Sequence, residues 1–299
     1  MNEIVKIESV AQYNTMRGVP TLHPLVTVLD LSKAKPMAAK TFNFGLYAVY
    51  LKELECGELK YGRNHYDYQE GTLVFIGPGQ VLGVQPKVTK FEAKGWALLF
   101  HPDLIKGTSL AKHIPDYSFF SYDVNEALHI SEQERQVVME CFRKIYFELQ
   151  HGIDKHSKKL IVSNIELFLN YCVRYYDRQF ITRDHVNTGV IEKFEAQLQD
   201  YFNSEKPQEI GIPSVGFFAN ELHLSAKYFG DLIKKETGKT AQEYIQAKLI
   251  NIAKEKVFDQ SKTVSEIAYE LGFKYPQHFT RLFKQQVGHT PNEYRSSLN

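Results

Sequence analysis

Cysteine is scarce in this 299-residue chain, and Cys56, Cys141 and Cys172 are odd in number, widely spaced and in no C-x-x-C pair. That pattern excludes a disulfide framework and a zinc knuckle and leaves three ordinary core residues. Long apolar runs are absent as well. The first 25 residues carry Glu3, Lys6, Glu8, Gln12, Asn14 and Arg17, so neither a secretory signal nor a membrane span is expected and the chain reads as cytoplasmic. No phosphate loop, dinucleotide fingerprint or catalytic triad in a motif context occurs. A large net charge is lacking too, with 36 Lys/Arg against 35 Asp/Glu. The balance hides an asymmetry: from Gly211 onward stand 12 of the basic and 9 of the acidic residues, a net +3 in a chain whose remainder is net −2. A mildly basic C-terminal part hints at a polyanionic partner without establishing one.

What is present is a repeat. G-x-T-x-x-E-Y occurs as Gly238 to Tyr244 and again, 50 positions later, as Gly288 to Tyr294. Each glycine follows a helix-like apolar pattern and suits the left-handed residue that ends a helix. Thr240 with Glu243, and Thr290 with Glu293, then form capping boxes that open the next helix, and Pro291 fits its first position. Upstream, Phe218–Leu224 matches Ile267–Phe273 at a spacing of 49, and Tyr228–Lys234 matches His278–Lys284 at 50, so the second copy has one extra residue in its turn. Each copy spells helix, short turn, helix, glycine stop, the outline of a helix-turn-helix, over about 213–238 and 263–288. Pro213 starts the first of these helices and Ser225 caps the second. In the other copy Thr263 or Ser265 caps the first helix, Gly272 allows the turn and Pro276 opens the second. Between the copies, Ala241 to Gln260 carries Tyr244, Ile245, Leu249, Ile252 and Val257 at helical spacing, with Lys248, Lys254 and Lys256 outside. A helix of roughly 20 residues spans about 30 Å, close to the roughly 34 Å between major-groove faces on one side of a duplex. A helical repeat that binds protein is the bland alternative, but two copies are fewer than a solenoid needs.

The segment IAYELGFKYPQHFTRLFKQQVGHTPNEYR, Ile267 to Arg295, resembles the signature of the AraC/XylS family of bacterial transcription regulators in its I-A, G-F, F-x-R-x-F-K and G-x-x-P-x-x-Y-R elements. The resemblance covers about the last hundred residues. It implies a seven-helix domain on double-stranded DNA, with Val190 to Asn203 as its first helix, read from Ile191, Phe194, Leu198 and Tyr201 on one face. In the second recognition helix Gln277, His278, Thr280, Arg281 and Lys284 are DNA candidates; Gln reads adenine and Arg reads guanine through paired hydrogen bonds. In the first, Lys227, Gly230, Asp231 and Lys234 face outward. Asp231 either accepts from cytosine N4 or merely pairs with a neighbouring cation. Ser225, Lys235 and Lys284 are phosphate candidates, which position without specifying.

From Val19 to Phe100 short aromatic and β-branched runs alternate with Gly/Pro turns, which suggests a small barrel or sandwich. EGTLVFIGPGQVL resembles the G-x-L-x-x-x-x-P-G turn of the cupin-like barrel that senses a small molecule in this family. Tyr61, Arg63, Tyr66, Tyr68 and Trp96 offer a polar-aromatic lining for such an effector. A metal-dependent cupin enzyme is the rival. Its ligand set is only half matched: Gly57, His65, Glu70 and Gly77 can be laid on the motif, but Arg63 and Leu82 stand where histidines are needed. His23, His101 and His113 read as surface or core residues. No metal, cofactor or catalytic residue is therefore expected. An effector-free regulator whose barrel serves assembly is the other alternative.

Ser131 to Leu149 opens with a capping pattern and Lys158 to Tyr176 follows the turn His151–Asp154, giving a helical hairpin. Its stripes, Val138, Phe142 and Ile145 with Ile161, Ile165 and Phe168, are candidates for homodimer contact. The expected α+β architecture has a cupin-like barrel over 1–130, the hairpin over 131–180, a polar linker over 181–189 and an all-α DNA-binding domain over 190–299. Double-stranded DNA, a small-molecule effector, a second copy of the chain and RNA polymerase are the expected partners; a membrane is not.

Overall fold

The computed structural model describes residues 4–36, 40–52, 71–83, 95–123 and 126–296. It divides into two compact units, Met1–Thr182 and Arg183–Asn299.

The N-terminal unit is built on two sheets. β2 (Val26–Asp30), β4 (Tyr47–Lys52), β5 (Gly71–Ile76), β7 (Gly95–Phe100) and β8 (Leu128–Ile130) form an antiparallel sheet in the order β2-β7-β4-β5-β8. β1 (Ile4–Ile7), β3 (Thr41–Phe44) and β6 (Val81–Gly83) form the other, with β1 parallel and β6 antiparallel to β3. Among the described residues the strands thus pair as two separate sheets and not as one closed cylinder. One face of the larger sheet, with Leu29, Ala48, Tyr50, Val74, Ile76, Ala97 and Leu99, shares a core with Phe42 and Phe44 of β3 and with α1 (Val10–Arg17). The other face is covered too: Phe75 lies against Phe119, Phe120, Phe168 and Tyr176. Burial on both faces explains why these strands are written as unbroken apolar runs without alternation.

α2 (Pro102–Ile105) and α3 (Ser109–His113) lead on to the hairpin of α4 (Glu132–Gln150) and α5 (Ser157–Thr182). The Ser131/Glu134 capping box starts α4, and Glu134 also takes a two-toothed bond from Arg178 at 2.7 and 3.0 Å. Arg178 and the neighbouring Gln179 hold β8 by its backbone, at His129 O and His129 N. α5 so covers what would otherwise be an open sheet edge. The hairpin is as expected, but its stripes do another job. Val138, Phe142, Ile145, Ile161, Ile165 and Phe168 are all fully buried inside the unit, because a stripe at helical spacing marks the side that the core takes. They have no surface to give a second copy. The outer side of α5 instead exposes Leu160, Leu167 and Ile181.

The span expected to be an irregular linker is helical: α5 runs to Thr182, Arg183 alone intervenes, and α6 (Asp184–Asn203) begins. Polar composition without proline does not prevent a helix. α7 (Lys206–Ile210), α8 (Val215–Glu221), α9 (Ala226–Thr237), α10 (Ala241–Val257), α11 (Val264–Glu270), α12 (Pro276–Val287) and α13 (Pro291–Ser296) complete the C-terminal unit. Its described residues therefore carry the seven expected helices and one short extra, α7. Phe194, Phe218, Phe229, Phe279 and Phe283 anchor its core, with Ile245, Leu249, Ala253 and Val257 along the buried side of α10.

Candidate nucleic-acid interface

Both helix-turn-helix pairs, α8–α9 and α11–α12, use the same backbone turn. Leu224 N donates to Ala219 O and Phe273 N to Ala268 O, each at 2.9 Å. At the corner stands a left-handed residue, His223 with φ 57° in one and Gly272 with φ 87° in the other. The caps set the ends of the recognition helices. Ser225 Oγ accepts from Tyr228 N to start α9, whereas α12 starts on Pro276 with no side-chain cap. Gly238 and Gly288 end them, at φ 72° and 88°. Thr240 with Glu243 and Thr290 with Glu293 make the reciprocal bonds of a capping box, and Thr263 with Glu266 makes a third. The N-cap backbone donors hold each of these three carboxyls below its usual range. Thr263, not Ser265, is the cap of α11.

The outer faces differ. On α12, Phe279 and Phe283 are buried while Gln277, His278, Arg281 and Lys284 are exposed. Gln277 and Arg281 make no hydrogen bond or ion pair among the described residues, so their donors face solvent. Thr280 is half-buried and returns its hydroxyl to Pro276 O at 3.2 Å. On α9, Tyr228, Phe229, Leu232 and Ile233 are buried and Lys234 and Lys235 exposed. Gly230, Asp231 and Ser225 are half-buried. Asp231 pairs with Lys227 across one helical turn at 3.4 Å, so each neutralises the other at the place where α12 offers Arg281 and Gln277. Elsewhere Lys256 and Lys262 both reach Glu270, at 3.1 and 2.5 Å, and hold its carboxyl below the usual range. Part of the C-terminal basic excess is thus spent inside the fold.

Two further residues belong to this region. Tyr275, half exposed, stands directly before α12 with its ring 5.5 Å from that of His278. Arg295 donates to Val257 O, Asp259 O and Lys262 O, and so satisfies carbonyls freed where α10 ends. The signature element P-x-x-Y-R contains Arg295, but only the folded chain reveals its acceptors. α10 has 17 residues, about 26 Å of helix, shorter than the expected span because Phe258 already caps it.

Of the other candidates, Trp96 is half-buried in β7, and Tyr61, Arg63, Tyr66 and Tyr68 lie outside the described residues, as do Gly57, His65 and Glu70 of the cupin comparison. Among the described residues no group of three or more His, Cys, Asp or Glu is placed to hold a metal ion. His23 Nδ1 accepts from Leu25 N and burial depresses its pKa. His101 caps α2, and His113 bonds Glu166 at 2.8 Å. No helix among the described residues is long and apolar enough to cross a membrane.

Two helix-turn-helix pairs with polar outer faces, on one apolar core, make the C-terminal unit a DNA-binding domain. A family model described as a helix-turn-helix domain matches residues 218–297. The chain is 29% identical over 140 residues to the uncharacterized HTH-type transcriptional regulator YfiF of Bacillus subtilis, covering 47% of this chain and 41% of that one. It is 22% identical over 252 residues to the HTH-type transcriptional activator RhaS of Citrobacter koseri, covering 78% and 86%. A solved transcriptional regulator with an AraC-type DNA-binding domain, from Chromobacterium violaceum, is 24% identical with a TM-score of 0.30, covering 36% of this chain and 88% of that one. The chain is a sequence-specific DNA-binding transcription regulator whose C-terminal unit is similar to those of AraC/XylS regulators.

Proposed function

We propose that α12 is the principal base reader and α9 the lesser one, that the pair enters neighbouring major-groove segments, and that the N-terminal unit tunes this binding through a small molecule. The observation that carries the division of labour is the free Gln277/Arg281 face of α12 against the internally paired Lys227/Asp231 face of α9. Arg281 is assigned to guanine and Gln277 to adenine. His278, Thr280 and Gly230 lie at the groove surface, and Ser225, Lys234, Lys235 and Lys284 take phosphates. Effector binding shifts the population of arrangements able to hold a given operator spacing.

Selection of bound sequences from random duplexes tests this. Arg281→Ala relaxes the preference at one base pair, and Asp231→Ala leaves the selected sequence unchanged. An unchanged preference in the Arg281 variant would sink the assignment. A homodimer through the outer side of α5, at Leu160 and Leu167, is part of the same proposal. Light scattering checks it: Leu167→Glu gives the monomer mass. RNA polymerase enters as the partner that a DNA-bound regulator contacts. A metal-dependent reaction in the N-terminal unit is the second reading, and stoichiometric metal on elemental analysis would favour it.

A further inference from the structure

The N-terminal unit buries polar groups that DNA binding does not use. α1 turns Tyr13, Asn14 and Arg17 inward, with Asn14 1% and Arg17 3% exposed. Tyr50 of β4 donates its hydroxyl to that of Tyr13 at 3.1 Å, between side chains that are both buried. The Arg17 guanidinium lies close enough to act on both phenols, while burial keeps both protonated. Arg17 has no carboxylate partner among the described residues, and its Nε makes no hydrogen bond. Asn14 Nδ2 donates to Pro20 O and Thr21 Oγ1, at 3.4 and 3.3 Å, yet its Oδ1 accepts nothing. Two residues beyond Tyr50, and so on the same side of β4, stands Lys52, whose pKa burial depresses.

The described residues here supply donors and positive charge but no acid. A guanidinium out of water without a counter-charge is unfavourable, and a buried acceptor left unpaired adds to that. Charge, geometry and the unused groups ask for the same complement: an anion for Arg17, backed by Lys52, with a hydroxyl to donate to Asn14.

We propose that Arg17, Asn14, Tyr13, Tyr50 and Lys52 form the binding site for a small hydroxylated organic anion, a carboxylate or a phosphate monoester. This deepens the sensing role given above to the N-terminal unit and rests on it. A carboxylate or phosphate takes two parallel bonds from the guanidinium, and the Tyr13 hydroxyl, which already accepts from Tyr50, has its own proton to give.

Thermal unfolding of the full chain tests this, with gluconate, glucose 6-phosphate, inorganic phosphate and neutral glucose as millimolar probes. At least one organic anion raises Tm by several degrees, glucose does not, and the shift disappears in Arg17→Met and is partly kept in Arg17→Lys. Gluconate against glucose 6-phosphate separates the carboxylate from the phosphate. Without a probe, Arg17→Met unfolds no lower than the parent, because it removes an uncompensated charge. The proposal is overturned by no shift with any anion, by equal shifts in parent and Arg17→Met, or by a shift with glucose alone, which would leave sensing intact with a neutral effector. Should Arg17→Met not fold, Tyr13→Phe keeps the charge and loses one donor; a several-fold weaker response supports the site and an unchanged one overturns it. An anion that shifts Tm without changing affinity for a selected operator leaves the site standing and removes the sensing role.

Discussion

The two helix-turn-helix pairs share a turn and differ in what the turn must tolerate. A Cβ on Gly272 would lie 2.7 Å from Gly211 C and 2.8 Å from Pro207 O. The backbone after α7 therefore presses directly on the second turn, held there by Tyr201, whose hydroxyl donates to Gly211 O at 2.8 Å. The first turn instead has His223 at its left-handed corner, φ 57°, so a side chain has room there at a modest local cost. The outer faces differ as well: the second pair leaves Gln277 and Arg281 without a partner among the described residues, whereas in the first Lys227 pairs with Asp231.

The comparison breaks first at Gly272. Gly272→Ala combines a left-handed residue, costing about 1–2 kcal/mol, with backbone overlap, costing about 1–3 kcal/mol more. Chemical denaturation of the full chain checks it, and a loss below 1 kcal/mol by the same reckoning would refute the close approach. Next comes Arg281→Ala, expected to lose about 1–3 kcal/mol of discrimination at one base pair, read by competition between single-base operator variants. Asp231→Ala in the first pair moves affinity slightly upward at all sequences alike. Thr240→Ala and Thr290→Ala each remove a cap, about 1 kcal/mol apiece, seen in helical signal and in the unfolding midpoint.

The capping carboxyls add a pH dependence. Glu243, Glu266 and Glu293 are each depressed from an ordinary 4.5. Their contribution is therefore complete above that value and is lost as pH falls through the lower folded values. Acid titration of the unfolding midpoint shows this, and Glu243→Gln flattens part of the slope. The smallest effect is His223→Gly, which relieves the left-handed corner but frees the unfolded chain; a net gain of about 0.5 kcal/mol is expected, again by denaturation.

Much of the C-terminal unit was legible before folding. Glycine stops, threonine caps and the glutamates three residues on act through neighbours in the chain, so G-x-T-x-x-E-Y announces its own geometry. For Asp231 the sequence leaves cytosine and a neighbouring cation both open, and the folded chain supplies the cation, Lys227. The part played by Arg295 was not legible, because its three acceptors lie 33 to 38 residues away. The α4 and α5 stripes show the same limit, since periodicity marks an apolar side without saying whether a sheet or a second copy covers it.

Local chemistry, then, determined the helix ends, the repeat and the outward residues of α12, all of which depend on interactions over a few residues. Tertiary structure alone decided which apolar stripe is core, why Gly272 has no substitute, and that Arg17 is buried without an acid among the described residues. Each of these is set by segments distant in sequence and close in space, and their meeting is written in no single stretch of the chain.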